Sequence, residues 1–111
     1  LTNWRSIRMT YRRLNINQIE SADIGADYVM RGQVRIGGFL CFKAIFLYDE
    51  MNDDGRGIEI TCNKYHKSKL MKASKEGLEA TIYGTLNIQR ESGYLFRYIS
   101  LHESFVIPER E

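Results

Sequence analysis

The chain is poor in cysteine, histidine and proline, and almost without net charge. Its two cysteines, Cys41 and Cys62, have no close Cys or His partner, a spacing that excludes a zinc ribbon or a paired redox motif. They read as two buried thiols in a reducing compartment, with a disulfide between them left open. The two histidines, His66 and His102, lie outside any metal-ligand spacing. No P-loop, G-x-S-x-G or H-E-x-x-H sequence occurs, so no metal, no cofactor and no catalytic residue is expected. One proline and nine glycines in 111 residues exclude a collagen-like or disordered chain. A net charge of +2 excludes an electrostatic clamp built on bulk charge. No apolar run reaches the roughly 18 residues of a membrane span; the greasiest stretch, Phe39 to Tyr48, is interrupted by Lys43. No signal peptide is visible, which points to a cytoplasmic protein. The chain begins at Leu1 rather than Met, so a lost leader is left open.

What is present suits one domain: 43% apolar and 12% aromatic residues, enough for one core. A domain of this size buries roughly 65% of its unfolded-chain surface and folds without staples. Trp4, Ile7, Tyr11 and Leu14 recur at helical steps, predicting an amphipathic helix over residues 3–14 with Thr2 or Asn3 as N-cap. Asn15 to Ala26 reads as an irregular lead-in. From Asp27 the period changes to two. Tyr28, Met30, Gly32, Val34 and Ile36 alternate with Val29, Arg31, Gln33 and Arg35 in a first strand, after which Gly37-Gly38 turns the chain. Leu40 to Tyr48 is a second strand, apolar on both faces. If Cys41 and Cys62 face the same way, Ile45 and Leu47 are core and Phe42, Phe46 and Tyr48 line a binding face; otherwise those aromatics are core. Asp49 to Gly57 is a polar loop. Tested as a calcium loop it fails, because Thr61 stands where a bidentate glutamate is needed. Ile58, Ile60 and Cys62 mark a third strand. A short helix follows within residues 64–76, with Ser68 as N-cap and Gly77 as C-cap. Ala80 to Ile88 is a fourth strand, residues 90–93 turn the chain, and Tyr94 to Leu101 is a fifth that Phe105 to Ile107 extend.

Five strands with one helix between the third and fourth predict an all-β fold with minor α, a five-stranded Greek-key barrel preceded by a helix. Gly32 and Gly84 sit at matching places in two strands, where a small barrel must bend. The phrases Tyr28-Val-Met-Arg-Gly32-Gln-Val, Ile58-Glu-Ile-Thr-Cys62, Glu76-Gly77 and Ala80-Thr-Ile-Tyr-Gly84-Thr-Leu resemble those of OB-fold nucleic-acid-binding domains. The group in question is the one related to the anticodon-binding domains of tRNA synthetases. The resemblance covers residues 26–107, about three quarters of the chain, leaving 1–25 as helix and lead-in and 108–111 as a charged tail.

The resemblance implies a ligand held on strands two and three, rimmed by the loops joining strands one to two and four to five. Single strands bind such faces by stacking on aromatic rings and by cations that track phosphates. The residues offered for this are Arg31, Arg35, Lys43, Lys64, Tyr65, Arg90, Tyr94, Arg97 and Tyr98, with Tyr83 on the outward side of the fourth strand. Five lysines between 64 and 75 against Glu76 leave that segment at +4. An acidic loop at 49–54 counts against a polyanion nearby. Two readings therefore stand. One is a non-catalytic module binding single-stranded nucleic acid. The other is a protein-interaction or assembly module, docking a partner or a second copy through the Trp4 helix or an exposed strand edge. A continuous positive stripe across strands two and three favours the first; a mixed or apolar patch favours the second.

Overall fold

The computed structural model describes residues 10–39, 42–49 and 57–108. The elements run β1 (Arg12–Arg13), a 3-10 turn (Ile16–Ser21), β2 (Asp27–Phe39), β3 (Phe42–Tyr48), β4 (Gly57–Thr61), α1 (Lys64–Lys75), β5 (Glu79–Glu91) and β6 (Tyr94–Ile107). The chain is mostly β, with minor α. The five strands expected from alternation are β2 to β6.

All six strands form one sheet, in the order β1-β2-β3-β4-β6-β5, and β2 also pairs with β5. Neighbours are antiparallel except β1–β2 and β4–β6, which are parallel. The pairing of β2 is divided along its length. Asp27 to Gln33 face β5, and Gln33 to Phe39 face β3. Gly32 lies at that handover. A Cβ there would stand 2.3 Å from the Tyr48 carbonyl oxygen, inside any tolerable contact. Gly84 has the same constraint. A Cβ on it would meet the Ser100 carbonyl oxygen at 2.4 Å, and the β5–β6 register shifts at Tyr83/Gly84. Both glycines are required by close backbone approach at a bend.

The alternation settles the faces. Tyr28, Met30 and Val34 of β2, Ile45 and Leu47 of β3, Ile58 and Ile60 of β4, Ala80, Ile82 and Leu86 of β5 and Ile99 of β6 form one buried cluster. Ile45 and Leu47 are core, so Phe46 and Tyr48 take the opposite face. Helix α1 follows the end of β4 and adds Leu70 and Ala73 to the cluster; Leu14 and Ile16 join it from the N-terminal segment. The 3-10 turn lies where β4 begins, beside Gly57 and Ile58.

Several expectations need correction. The helix proposed for residues 3–14 does not include its last turn. Arg12 and Arg13 pair with Tyr28 and Val29 as strand, and the Leu14 amide donates to the Val29 carbonyl at 3.0 Å. An open edge on β2 satisfies this backbone, so tertiary pairing outweighs the helical spacing of Tyr11 and Leu14. Trp4 and the rest of that proposal lie outside the described residues. Next, the N-cap of α1 is Asn63, whose side chain accepts from the His66 amide at 3.0 Å, not Ser68. Gly77, at φ 68°, does take the left-handed conformation just past the helix. The irregular lead-in, finally, contains the 3-10 turn, because Ile16 has a place in the core. The Gly37-Gly38 pair lies within β2, and the β5–β6 turn is two residues, Ser92 and Gly93, both at positive φ as a tight hairpin requires.

Gly32→Ala and Gly84→Ala are each expected to destabilise the protein by about 1–3 kcal/mol, because backbone must move to admit a methyl group. Gly57→Ala, whose Cβ meets only the Tyr48 ring, should cost less. Urea denaturation of the three variants checks the order.

Candidate functional site

The outward face of the sheet carries one continuous cross-strand row. Arg35 pairs with Phe46, Phe46 with Glu59, Glu59 with Tyr98, and Tyr98 with Asn87, so one residue from each of β2, β3, β4, β6 and β5 lies on it. Aromatic rings next to glycines shape its surface. The Phe46 ring fills the space a Cβ of Gly37 would need, and the Tyr48 ring fills that of Gly57. The Arg35 guanidinium carbon stands 4.9 Å from the centre of the Tyr48 ring, a cation–π arrangement. Phe46 and Tyr48 are 6.3 Å apart between centroids. The row is mixed in character: one cation, one anion, two aromatics and an amide.

Of the proposed contact residues, Arg35 and Tyr98 meet on this row. Arg31 lies on the same face of β2, but its Nε donates to Glu79 at 2.9 Å, which partly neutralises it. Lys43 has the parity of Ile45 and is exposed near the start of β3. Lys64 and Tyr65 belong to the first turn of α1, away from the row. Arg90 and Tyr94 are on the outer part of the β5–β6 hairpin, and Arg97 lies at the base of that hairpin. The nine residues thus occupy several surfaces. The lysine-rich helix is not all free surface either: Lys69 donates to the Ser104 carbonyl and sits over the Phe105 ring. Tyr83 is outward by parity yet buried, because Tyr11 meets its ring edge-on at 5.2 Å and Phe105 at 5.9 Å. Cover from the N-terminal segment was invisible to a strand-by-strand reading.

Two features were missed. The first is a hydrogen-bonded chain. Thr85 donates to the Asp27 carboxylate at 2.6 Å, so its oxygen accepts from His102 Nε2 at 3.0 Å, and His102 Nδ1 then accepts from the Tyr11 hydroxyl at 2.7 Å. His102 stands at the β5–β6 bulge, between the Leu101 and Glu103 pairings, where an extra residue re-aims a side chain. Thr85 gives its proton to Asp27 rather than to His102, so the arrangement fastens the N-terminal segment and does not activate a nucleophile. The second is a cleft of about 280 Å³ between the 3-10 turn and the start of β6. Among the described residues no group of three or more His, Cys, Asp or Glu could hold a metal ion. Cys62 is a free thiol, pushed up in pKa by burial with Lys67 opposing; Cys41 lies outside the described residues. No described helix is long and apolar enough to cross a membrane.

No protein-family model matches the chain, and no curated protein does. Solved structures do. OBody NL8 bound to hen egg-white lysozyme aligns with a TM-score of 0.57 at 15% identity, over 78% of this chain and 98% of that one. OBody AM2EP06 bound to hen egg-white lysozyme aligns at 0.54 and 17%, over 78% and 84%. At these identities the likeness is one of fold.

Burial first, and the Asp27 charge second, push the Tyr11 hydroxyl above its ordinary pKa of 10.0. A raised value means the fold favours the protonated phenol. That contribution is complete below the ordinary value and is lost as the pH rises through the folded one. Tyr11→Phe, which keeps the ring against Tyr83, should lose stability at pH 8 and show a flatter decline than the parent between pH 9 and about 11. Chemical denaturation across that range measures both.

Proposed function

We propose that this chain is a non-catalytic OB-fold module that binds another protein through the outward face of β2, β3, β4 and β6. The strand order supports the OB reading. Leaving β1 aside, pairings run β2-β3-β4-β6-β5 and return to β2, with the single helix between β4 and β5. The observation that carries the functional reading is the Arg35–Phe46–Glu59–Tyr98–Asn87 row. Glu59 stands in the middle of it, where a phosphate backbone would have to pass, and Arg31 is already bridged by Glu79. Single-strand binding needs cations in a continuous track. One cation and one anion interleaved with two aromatic rings is instead the composition of a protein interface, where aromatics anchor and charge pairs set register. The OBody structures, which share the fold, have lysozyme as their named partner, in keeping with this reading.

Single-stranded nucleic acid is the second reading, favoured by one feature, the Phe46–Tyr48 pair with Arg35 over the Tyr48 ring. A titration of fluorescent oligothymidylate and oligouridylate at low salt separates the two. The protein reading expects no salt-dependent binding at high micromolar concentration. It also expects that a partner captured by the full chain and identified by mass spectrometry is released by Arg35→Glu with Glu59→Lys. Tight, salt-sensitive oligonucleotide binding would reverse the order of the readings.

A further inference from the structure

Beyond the outward row, the outer part of the β5–β6 hairpin has a separate surface. β5 pairs with β2 only up to Thr85, and β6 with β4 only from Tyr98, so beyond the Leu86 backbone bonds to Gly25 and Ala26, residues 87–97 form a two-stranded ribbon with no third strand among the described residues. Its inward face continues the parity of buried Leu86 and Ile99. The next cross-strand pairs on that face are Ile88 with Arg97 and Arg90 with Leu95. Two aliphatic side chains and two arginines stand there, with no acidic residue. Leu95 is 57% exposed, and Ile88 37%. Sequence alternation alone would have placed Arg97 in the core.

Arg97 lines the 280 Å³ cleft together with Ile16, Ile19, Ile58 and Leu95. Its Nε is buried without a hydrogen-bond partner. Arg97 is half-buried, and a buried Nε donor left unspent beside apolar side chains is an unfavourable arrangement that a carboxylate relieves. Glu20 is also at the cleft but is not free. The volume is at the small end for a ligand site, suited to one or two side chains rather than a cofactor. The inward ribbon pairs carry no aromatic ring, and Phe96, of the other parity, is the one aromatic residue among the described lining of the cleft.

We infer that this cleft and ribbon face take a short acidic, apolar segment of a partner protein. One of its carboxylates pairs with Arg97, and a neighbouring aliphatic side chain packs between Ile19 and Leu95. The inference rests on the protein-interaction reading but uses a different surface, so the two can fail separately.

The probe is a short capped peptide alternating glutamate and leucine, titrated into isotopically labelled full-length chain and followed by amide chemical shifts. Shifts should concentrate at Ile16 to Glu20, Ile58 and Leu95 to Arg97. Arg97→Gln should weaken the peptide about tenfold or more, as loss of a charge-assisted hydrogen bond does. Leu95→Ser, at an exposed position, should weaken it too. Arg35→Glu with Glu59→Lys should leave it unchanged. The inference is overturned if a lysine–leucine peptide or oligothymidylate produces the same shifts equally well, or if Arg97→Gln binds like the parent. If the acidic peptide fails while the charge-reversed row still releases a captured partner, the cleft is not a docking site and the outward-face reading stands.

Discussion

The structure depends on β2 having a partner on both sides. Its first half is bonded to β5 and its second half to β3, and the change occurs over Gly32 and Gln33. A strand can turn from one neighbour to another this sharply only where side chains do not collide. The Tyr48 carbonyl lies against Gly32 at a distance no Cβ could share. Through this bend the pairing circuit returns to its start, and the inward residues of five strands converge on one cluster. With the bend in place, the outward residues align as well. Arg35, Phe46, Glu59, Tyr98 and Asn87 are far apart in the chain and become one row.

The reach of the β5–β6 hairpin follows from strand length. β5 and β6 are 13 and 14 residues long, while β4 is only 5. The long pair outruns its neighbours, and its outer part has faces that the core does not cover. Exposed Tyr94, Leu95 and Phe96 are consequences of that difference in length. Large apolar side chains standing free on a two-stranded ribbon are a feature of contact surfaces. The two surfaces therefore differ physically. One is a broad face of mixed charge and half-buried aromatics; the other is a narrow cleft in which the Arg97 Nε has no hydrogen-bond partner among the described residues.

Legibility varied with the range of the interactions concerned. The strand faces were readable because burial has a period of two: Tyr28, Met30 and Val34, then Ile58 and Ile60, then Ala80, Ile82 and Leu86 mark the core directly. β3 was ambiguous, since Ala44, Phe46 and Tyr48 are as apolar as Ile45 and Leu47. Only the pairing with β2 and β4 decided which set turned inward. The N-terminal segment misled because Tyr11, half-buried against Tyr83, and Leu14, buried in the core, are covered for unrelated reasons at a spacing that happens to match a helix turn. The candidate contacts were read as one set because their types were right, but charge and ring type do not reveal which surface a residue shares.

What the sequence determined by itself was local: which residues alternate, where the chain must turn, which two glycines mark bends, and that cationic and acidic residues are segregated along the chain. These follow from backbone geometry and side-chain burial within a few residues. The tertiary structure decided which residues from different strands are neighbours. It set Glu59 among the aromatics, spent Arg31 on Glu79, covered Tyr83 with Tyr11 and left the Arg97 Nε without a partner among the described residues. Register across strands is a relation between distant segments, fixed only when the whole circuit is paired, and the character of a binding surface depends on that register.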